Sequence, residues 1–107
     1  MTSSAKEALL ALAERCEKAE RDSFDLNHAI ALQLGIASEP FTASLDAAMT
    51  LVPDGKRRIE FGTCEGGRAW AYVHTSTDVL GECDDAPTEA AAIVAAALRA
   101  QSEAGQP

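Results

Sequence analysis

Ile59-Glu60-Phe61-Gly62-Thr63-Cys64-Glu65-Gly66-Gly67-Arg68-Ala69-Trp70-Ala71-Tyr72-Val73-His74 is the stretch on which the reading of the fold turns, because here the apolar spacing changes to a period of two. Ile59 and Phe61 alternate with Arg58, Glu60 and Gly62, the pattern of a strand. Glu65-Gly66-Gly67-Arg68 then offers two residues free to take positive φ, and Ala69 to His74 returns as the second arm of a hairpin. On that arm Ala69, Ala71 and Val73 share one face while Trp70, Tyr72 and His74 share the other, so neither face is plainly a solvent face. Val79 to Cys83 reads as a third, shorter strand, weakened by Gly81.

Upstream, the spacing is helical. Ser3 or Ser4, with Glu7 completing a capping box, starts a helix that runs to about Arg21. Leu9, Leu12, Ala13, Cys16 and Ala19 or Glu20 form its inner stripe, and Glu14 with Lys18 and Glu17 with Arg21 lie four apart on the other side. Asp22 or Ser23 caps a second helix, whose stripe Leu26, Ile30, Ala31 and Leu34 stops at Gly35. After the loop Ser38-Glu39-Pro40, Thr42 or Ser44 starts a short third helix with Leu45, Ala48, Met49 and Val52 inward. Pro53-Asp54-Gly55 closes it as a turn.

Downstream, Asp84-Asp85-Ala86-Pro87 opens a last helix, with proline suited to its first turn and the acids to its positive end. Ile93, Val94, Ala97 and Leu98 make its buried side, and the alanines from Ala90 to Ala100 permit close approach to a sheet. The expected fold is therefore α+β: three N-terminal helices, a small antiparallel sheet of two or three strands, and an Ala-rich C-terminal helix, with helices on one or both sheet faces. Residues 1–107 make one domain, ordered from about residue 3 to about residue 101 with fraying ends.

Composition narrows the function classes. The chain has 107 residues, 47% hydrophobic and 24% charged, which is the make-up of a globular protein rather than a disordered one. Its formal charge of −8 repels phosphate backbones, so direct nucleic-acid binding is not expected. Cys16, Cys64 and Cys83 have no Cys-x-x-Cys spacing and no paired histidines at zinc-finger intervals, which argues against a zinc site or a disulfide framework. No signal peptide or membrane-spanning stretch is read, so the expected location is a reducing cytoplasm.

Three blocks carry a resemblance. They are Asp25 to Ile36, the segment Pro40-Phe41-Thr42-Ala43-Ser44-Leu45-Asp46-Ala47-Ala48-Met49-Thr50-Leu51-Val52-Pro53, and Ala86 to Ala100. Together they cover about half the chain and resemble small bacteriophage and prophage proteins associated with a phage ABA-sandwich domain. The resemblance implies an α/β/α sandwich-like architecture and an accessory role in a bacterial host cell. It brings no catalytic residue with it. The hairpin departs most, because Lys56-Arg57-Arg58 stands where the relatives are less basic and carry a tryptophan soon after the Pro-x-Gly turn. Read physically, Thr42 and Ser44 act as acceptors for helix N–H groups and Asp46 lies in a positive first turn, so this segment starts a helix.

Weighed as chemistry, most candidates reduce to structure. Cys16 falls on a buried stripe, and His28, three residues after Asp25, could form a local hydrogen-bonded pair but reads as a solvated or half-buried histidine rather than a base. Asp78, Glu82, Asp84, Asp85 and Glu89 lack the ligand order and central glycine of a calcium loop, and Gly66-Gly67 lacks the context of a phosphate cradle. No cofactor or metal is expected. A thiol–imidazole pair of His74 with Cys64 or Cys83, oriented by Asp78, would make a small hydrolase or small-molecule site. Trp70, Tyr72 and His74 are the best remaining candidate for a partner-binding face, but in a three-layer sandwich a helix would cover them, and that covering is the preferred expectation. The leading expectation is a non-enzymatic phage or prophage protein that acts by binding another protein, its acidic surface meeting a basic host factor in anti-defence or host modulation. A virion component and a homodimer interface are the alternatives outside catalysis.

Overall fold

The structure, a computed structural model, describes residues 2–18, 24–52, 58–75 and 78–104. The expected run of the first helix to Arg21, the Asp22 or Ser23 cap, the Pro53-Asp54-Gly55 turn and the final three residues of the fraying tail lie outside the described residues. The elements are α1 (Thr2–Lys18), α2 (Phe24–Leu34), α3 (Leu45–Met49), β1 (Arg58–Thr63), a short 3-10 turn (Glu65–Gly67), β2 (Ala69–His74), β3 (Val79–Ala86) and α4 (Glu89–Ala104). The class is α+β as expected, with three helices ahead of an antiparallel sheet ordered β1-β2-β3 and a helix behind it.

Helix boundaries follow local chemistry. α1 begins at Thr2, so Ser3 and Ser4 lie inside it rather than capping it. Of its expected stripe, Leu12, Ala13 and Cys16 are buried and Leu9 is partly so, while Ala19 and Glu20 lie outside the described residues. In α2, Leu26, Ile30 and Ala31 are buried, and the helix stops at Gly35 with φ +70. There the Ile36 N–H donates to Ala31 O and the Gly35 N–H to Leu32 O, a paired closure that satisfies the last carbonyls.

Ser44 caps α3, its Oγ accepting from the Ala47 N–H at 3.2 Å, and Asp46 stands in the first turn. Thr42 does not cap. It is buried, and both its N–H and its hydroxyl donate to Asn27 Oδ1, at 3.1 and 2.9 Å. The inward phase of α3 also differs from expectation: Leu45 and Met49 are exposed, while Ala47, Ala48, Leu51 and the preceding Phe41 are buried. A single helical turn is too short for its spacing to determine which side faces inward, and the close packing of α3 on α4 settles it.

β1 and β2 pair in register from Arg58↔His74 to Thr63↔Ala69. The turn between them holds Gly66 at φ 85 and Gly67 at φ 81, the two positive values the sequence predicts. β3 runs on to Ala86, which pairs with Ala69. Asp84 and Asp85 therefore belong to the strand and do not head α4. That helix is capped by Thr88, whose Oγ1 accepts from the Ala91 N–H at 3.0 Å.

The layers run from the sheet to α4 and then to α1, which packs along α4, with α3 also against α4 and α2 against α1. α4 sits in the middle, and Ala90 through Leu98 are all buried. A helix enclosed on all sides needs small side chains, which explains its alanines. The backbones come close at Gly81, where an added Cβ would lie 2.1 Å from the Ala96 carbonyl oxygen and 2.5 Å from the Ala100 nitrogen. Among the described residues no helix is long and apolar enough to cross a membrane.

Candidate functional site

Ala69, Ala71 and Val73 are fully buried against α4, so strand alternation turns Trp70, Tyr72 and His74 to the opposite face of the sheet. Among the described residues, the helix that packs against β1 and β2 is α4, on the opposite face. A sandwich with the sheet as its middle layer would cover these side chains. Here their partial burial comes from their own strand neighbours.

Trp70 is opposite Gly62, and its indole occupies the space that a side chain there would fill; an added Cβ would meet Cζ2 at 3.0 Å. Its ring is tilted against that of Tyr72, with centroids 5.4 Å apart. Tyr72 donates its hydroxyl hydrogen to Asp84 Oδ1 at 3.0 Å, and this bond raises its pKa. At the end of the row, His74 Nδ1 lies 2.9 Å from Thr75 O. A carbonyl only accepts, so that contact places a proton on Nδ1. Nε2, buried and without a hydrogen bond, points toward Glu60 Oε1 at 3.6 Å. The rim is acidic, since Glu60, Glu82 and Asp84 are all exposed.

Beyond β3 the face drops into an open polar cleft of about 760 Å³, with Glu82, Asp84 and Asp85 on one side and Glu17, Lys18 and Arg99 on the other. Arg68 bonds Asp85 at its entrance, which holds the Asp85 carboxyl below its usual pKa range. Inside, Arg99 grips Glu17 with two bonds of 2.6 and 2.9 Å and also donates to Glu82 O at 2.7 Å. This one guanidinium ties α1, β3 and α4 together. The pairing expected for Glu17 with Arg21 involves a residue outside the described ones; among the described residues Glu17 is held by this long-range partner.

The ion pair makes stability pH-dependent. The bond to Arg99 lowers the Glu17 pKa against a smaller opposing effect of burial. A carboxyl with a depressed folded pKa contributes stability above its usual titration range, and that contribution is lost as pH falls through the lower, folded value. Glu17→Gln is therefore expected to cost about 2 kcal/mol at neutral pH, a figure reduced from that of a fully buried pair because both side chains are about a quarter exposed. The variant's urea midpoint should also fall less steeply than the wild type's on acidification. Parallel urea melts at neutral and acid pH give the check, and identical slopes would discount the pair.

The thiol–imidazole arrangement is not assembled. Cys83 is buried on the α4 face, its thiol bonded to Glu17, and burial with that bond pushes its pKa up to about 12. His74 lies on the other face. Cys64 is exposed at the hairpin, opposite Arg68 and about six strand residues or roughly 20 Å from His74. Cys16 is buried and pushed up to about 12 by burial, as a core thiol would be. His28 is exposed on α2. Among the described residues no group of three or more His, Cys, Asp and Glu is placed to hold a metal ion.

Sequence reasoning named the ring-bearing residues of the face but missed its rim. Glu60, opposite Tyr72 on β1, and Glu82, opposite Tyr72 on β3, needed the strand registers to be placed beside it. No family model, curated protein or solved structure matches the chain.

Proposed function

We propose that the chain is a non-enzymatic protein-binding module of phage or prophage origin, which engages its partner in the cytoplasm of a bacterial host through the outer face of its sheet. The observation that carries this reading is the placement of Trp70 and Tyr72, in contact with each other, on a sheet face that no described helix covers. Rigid amphipathic rings of this kind supply large contact area at low entropic cost, and they dominate the energetics of many interfaces.

The phage setting rests on the resemblance of three blocks. All three meet at Thr42: Asn27 of the first accepts from it, and its carbonyl accepts from the Thr88 hydroxyl of the third at 3.4 Å. The resemblance thus falls on the scaffold, whereas the hairpin, which departs from the relatives, carries the proposed binding face. Such a division suits proteins that share a frame and differ in partner.

The test is capture from bacterial lysate by the wild-type chain and by a Trp70→Ala/Tyr72→Ala variant. The variant is expected to lose the captured protein while its stability falls by no more than about 1 kcal/mol per site, because neither side chain is in the core. A partner retained equally by both forms, or the absence of any partner for the wild type, would overturn the reading. Flanking genes for structural, replication or anti-defence proteins would separate the phage roles.

A further inference from the structure

The same face is marked for one kind of occupant by its charge. Glu60, Glu82 and Asp84 stand exposed around Trp70 and Tyr72; of the exposed arginines on this side, Arg68 is already engaged by Asp85 and Arg58 lies at the far end, opposite His74. Among the described residues no cation pairs with Glu82 or Asp84, in contrast to Asp85 and Glu17, which are held by Arg68 and Arg99. Asp84 instead accepts from the Tyr72 hydroxyl, which fixes the phenol beside the indole and leaves the carboxylate at the rim.

We infer that the occupant of this face is an arginine- or lysine-bearing segment of a protein partner, with one cation lying over the Trp70–Tyr72 rings and its neighbours meeting Glu82 and Asp84. The inference rests on the proposal that this face binds a protein. Electron-rich ring faces attract cations, and tryptophan does so most strongly. A guanidinium stacks on a ring while its donors reach carboxylates beside it, which is the combination that Asp84 next to Tyr72 offers. A second copy of this chain fits poorly, because each copy carries a formal charge of −8 and would bring its own acidic rim to the contact.

The chain has a single tryptophan, so Trp70 emission reports on this face alone. The full-length protein is titrated with an arginine-rich peptide, with the same peptide carrying citrulline at each arginine, and with a glutamate-rich peptide. The arginine peptide is expected to shift the emission saturably, and more weakly as salt rises from about 50 mM to about 500 mM. The citrulline and glutamate peptides should give no saturable shift. Glu82→Gln/Asp84→Asn keeps the reporter and both rings, and is expected to weaken binding about five- to tenfold. Tyr72→Leu, read in the same way, should weaken it about three- to thirtyfold.

Equal binding of the citrulline peptide, or unchanged affinity in Glu82→Gln/Asp84→Asn, overturns the cationic occupant. An emission shift that follows protein concentration alone also overturns it, in favour of a second copy. If a lysate partner is lost in Trp70→Ala/Tyr72→Ala but is neither weakened by Glu82→Gln/Asp84→Asn nor displaced by the arginine peptide, the docking face stands and only the occupant's chemistry fails.

Discussion

Gly81→Ala is expected to destabilise the domain by about 3 kcal/mol or more, beyond the usual range for a surface strand substitution. The added methyl group would fall 2.1 Å from the Ala96 carbonyl oxygen and 2.5 Å from the Ala100 nitrogen. Both are backbone atoms of α4, so no rotamer change relieves the overlap; the helix or the strand must move. Moving α4 away from β3 opens gaps along Val73, Ile93 and Val94, all fully buried, where close packing makes even small separations costly. Moving β3 instead strains its pairing with β2. Single domains are stable by only about 5–15 kcal/mol, so this one substitution removes a large share. Urea denaturation of wild type and variant measures it, and a midpoint within error of wild type would show that α4 is not seated as described. The position was legible only as a blemish in a strand. Its reason is a helix backbone fifteen residues or more further along the chain.

What could be read in advance was whatever depends on local chemistry. Leu12, Ala13 and Cys16, like Leu26, Ile30 and Ala31, bury a stripe that helical spacing alone defines, and Gly35 ends its helix because the left-handed conformation there suits glycine. Ala69 to His74 and the two positive-φ glycines before it are likewise consequences of period and backbone freedom. The losses occurred where two local readings were equally good. Acids after Cys83 suit a helix N-terminus and a strand rim alike, and the pairing of Ala86 with Ala69 decides for the strand. Arg99, which holds Glu17, is 82 residues away and is brought in by the packing of α4 on α1, which no local spacing could show.

The candidate site shows the same division. That Trp70, Tyr72 and His74 share a face follows from alternation. Whether that face is covered depends on the layer order, and amphipathic rings suit either outcome. The partners of those rings, Gly62 beneath the indole and Asp84 at the phenol, come from strand register, and register shifts at both ends of the β2–β3 pairing could not be counted from the sequence.

Phe41→Ala should be the second severe substitution, costing about 3–5 kcal/mol. Phe41 is the largest of the fully buried side chains and lies beside Thr42, through which α2, the α3 segment and the start of α4 are hydrogen-bonded. Truncation removes the transfer energy of the ring and leaves a cavity that the Asn27–Thr42–Thr88 bonds keep from collapsing, which places the cost toward the upper part of that range. The measured fall in stability also separates two readings of the Pro40 to Pro53 segment. As a structural junction it predicts a destabilised Phe41→Ala that, at temperatures where it remains folded, still binds what the wild type binds. As a binding element it predicts near-normal stability and a lost partner. Thermal melts and the lysate capture, run together on Phe41→Ala and Trp70→Ala/Tyr72→Ala, should give opposite patterns: stability lost with binding kept in the first, binding lost with stability kept in the second. The same pattern in both would mean that scaffold and binding face are not separate parts of this fold.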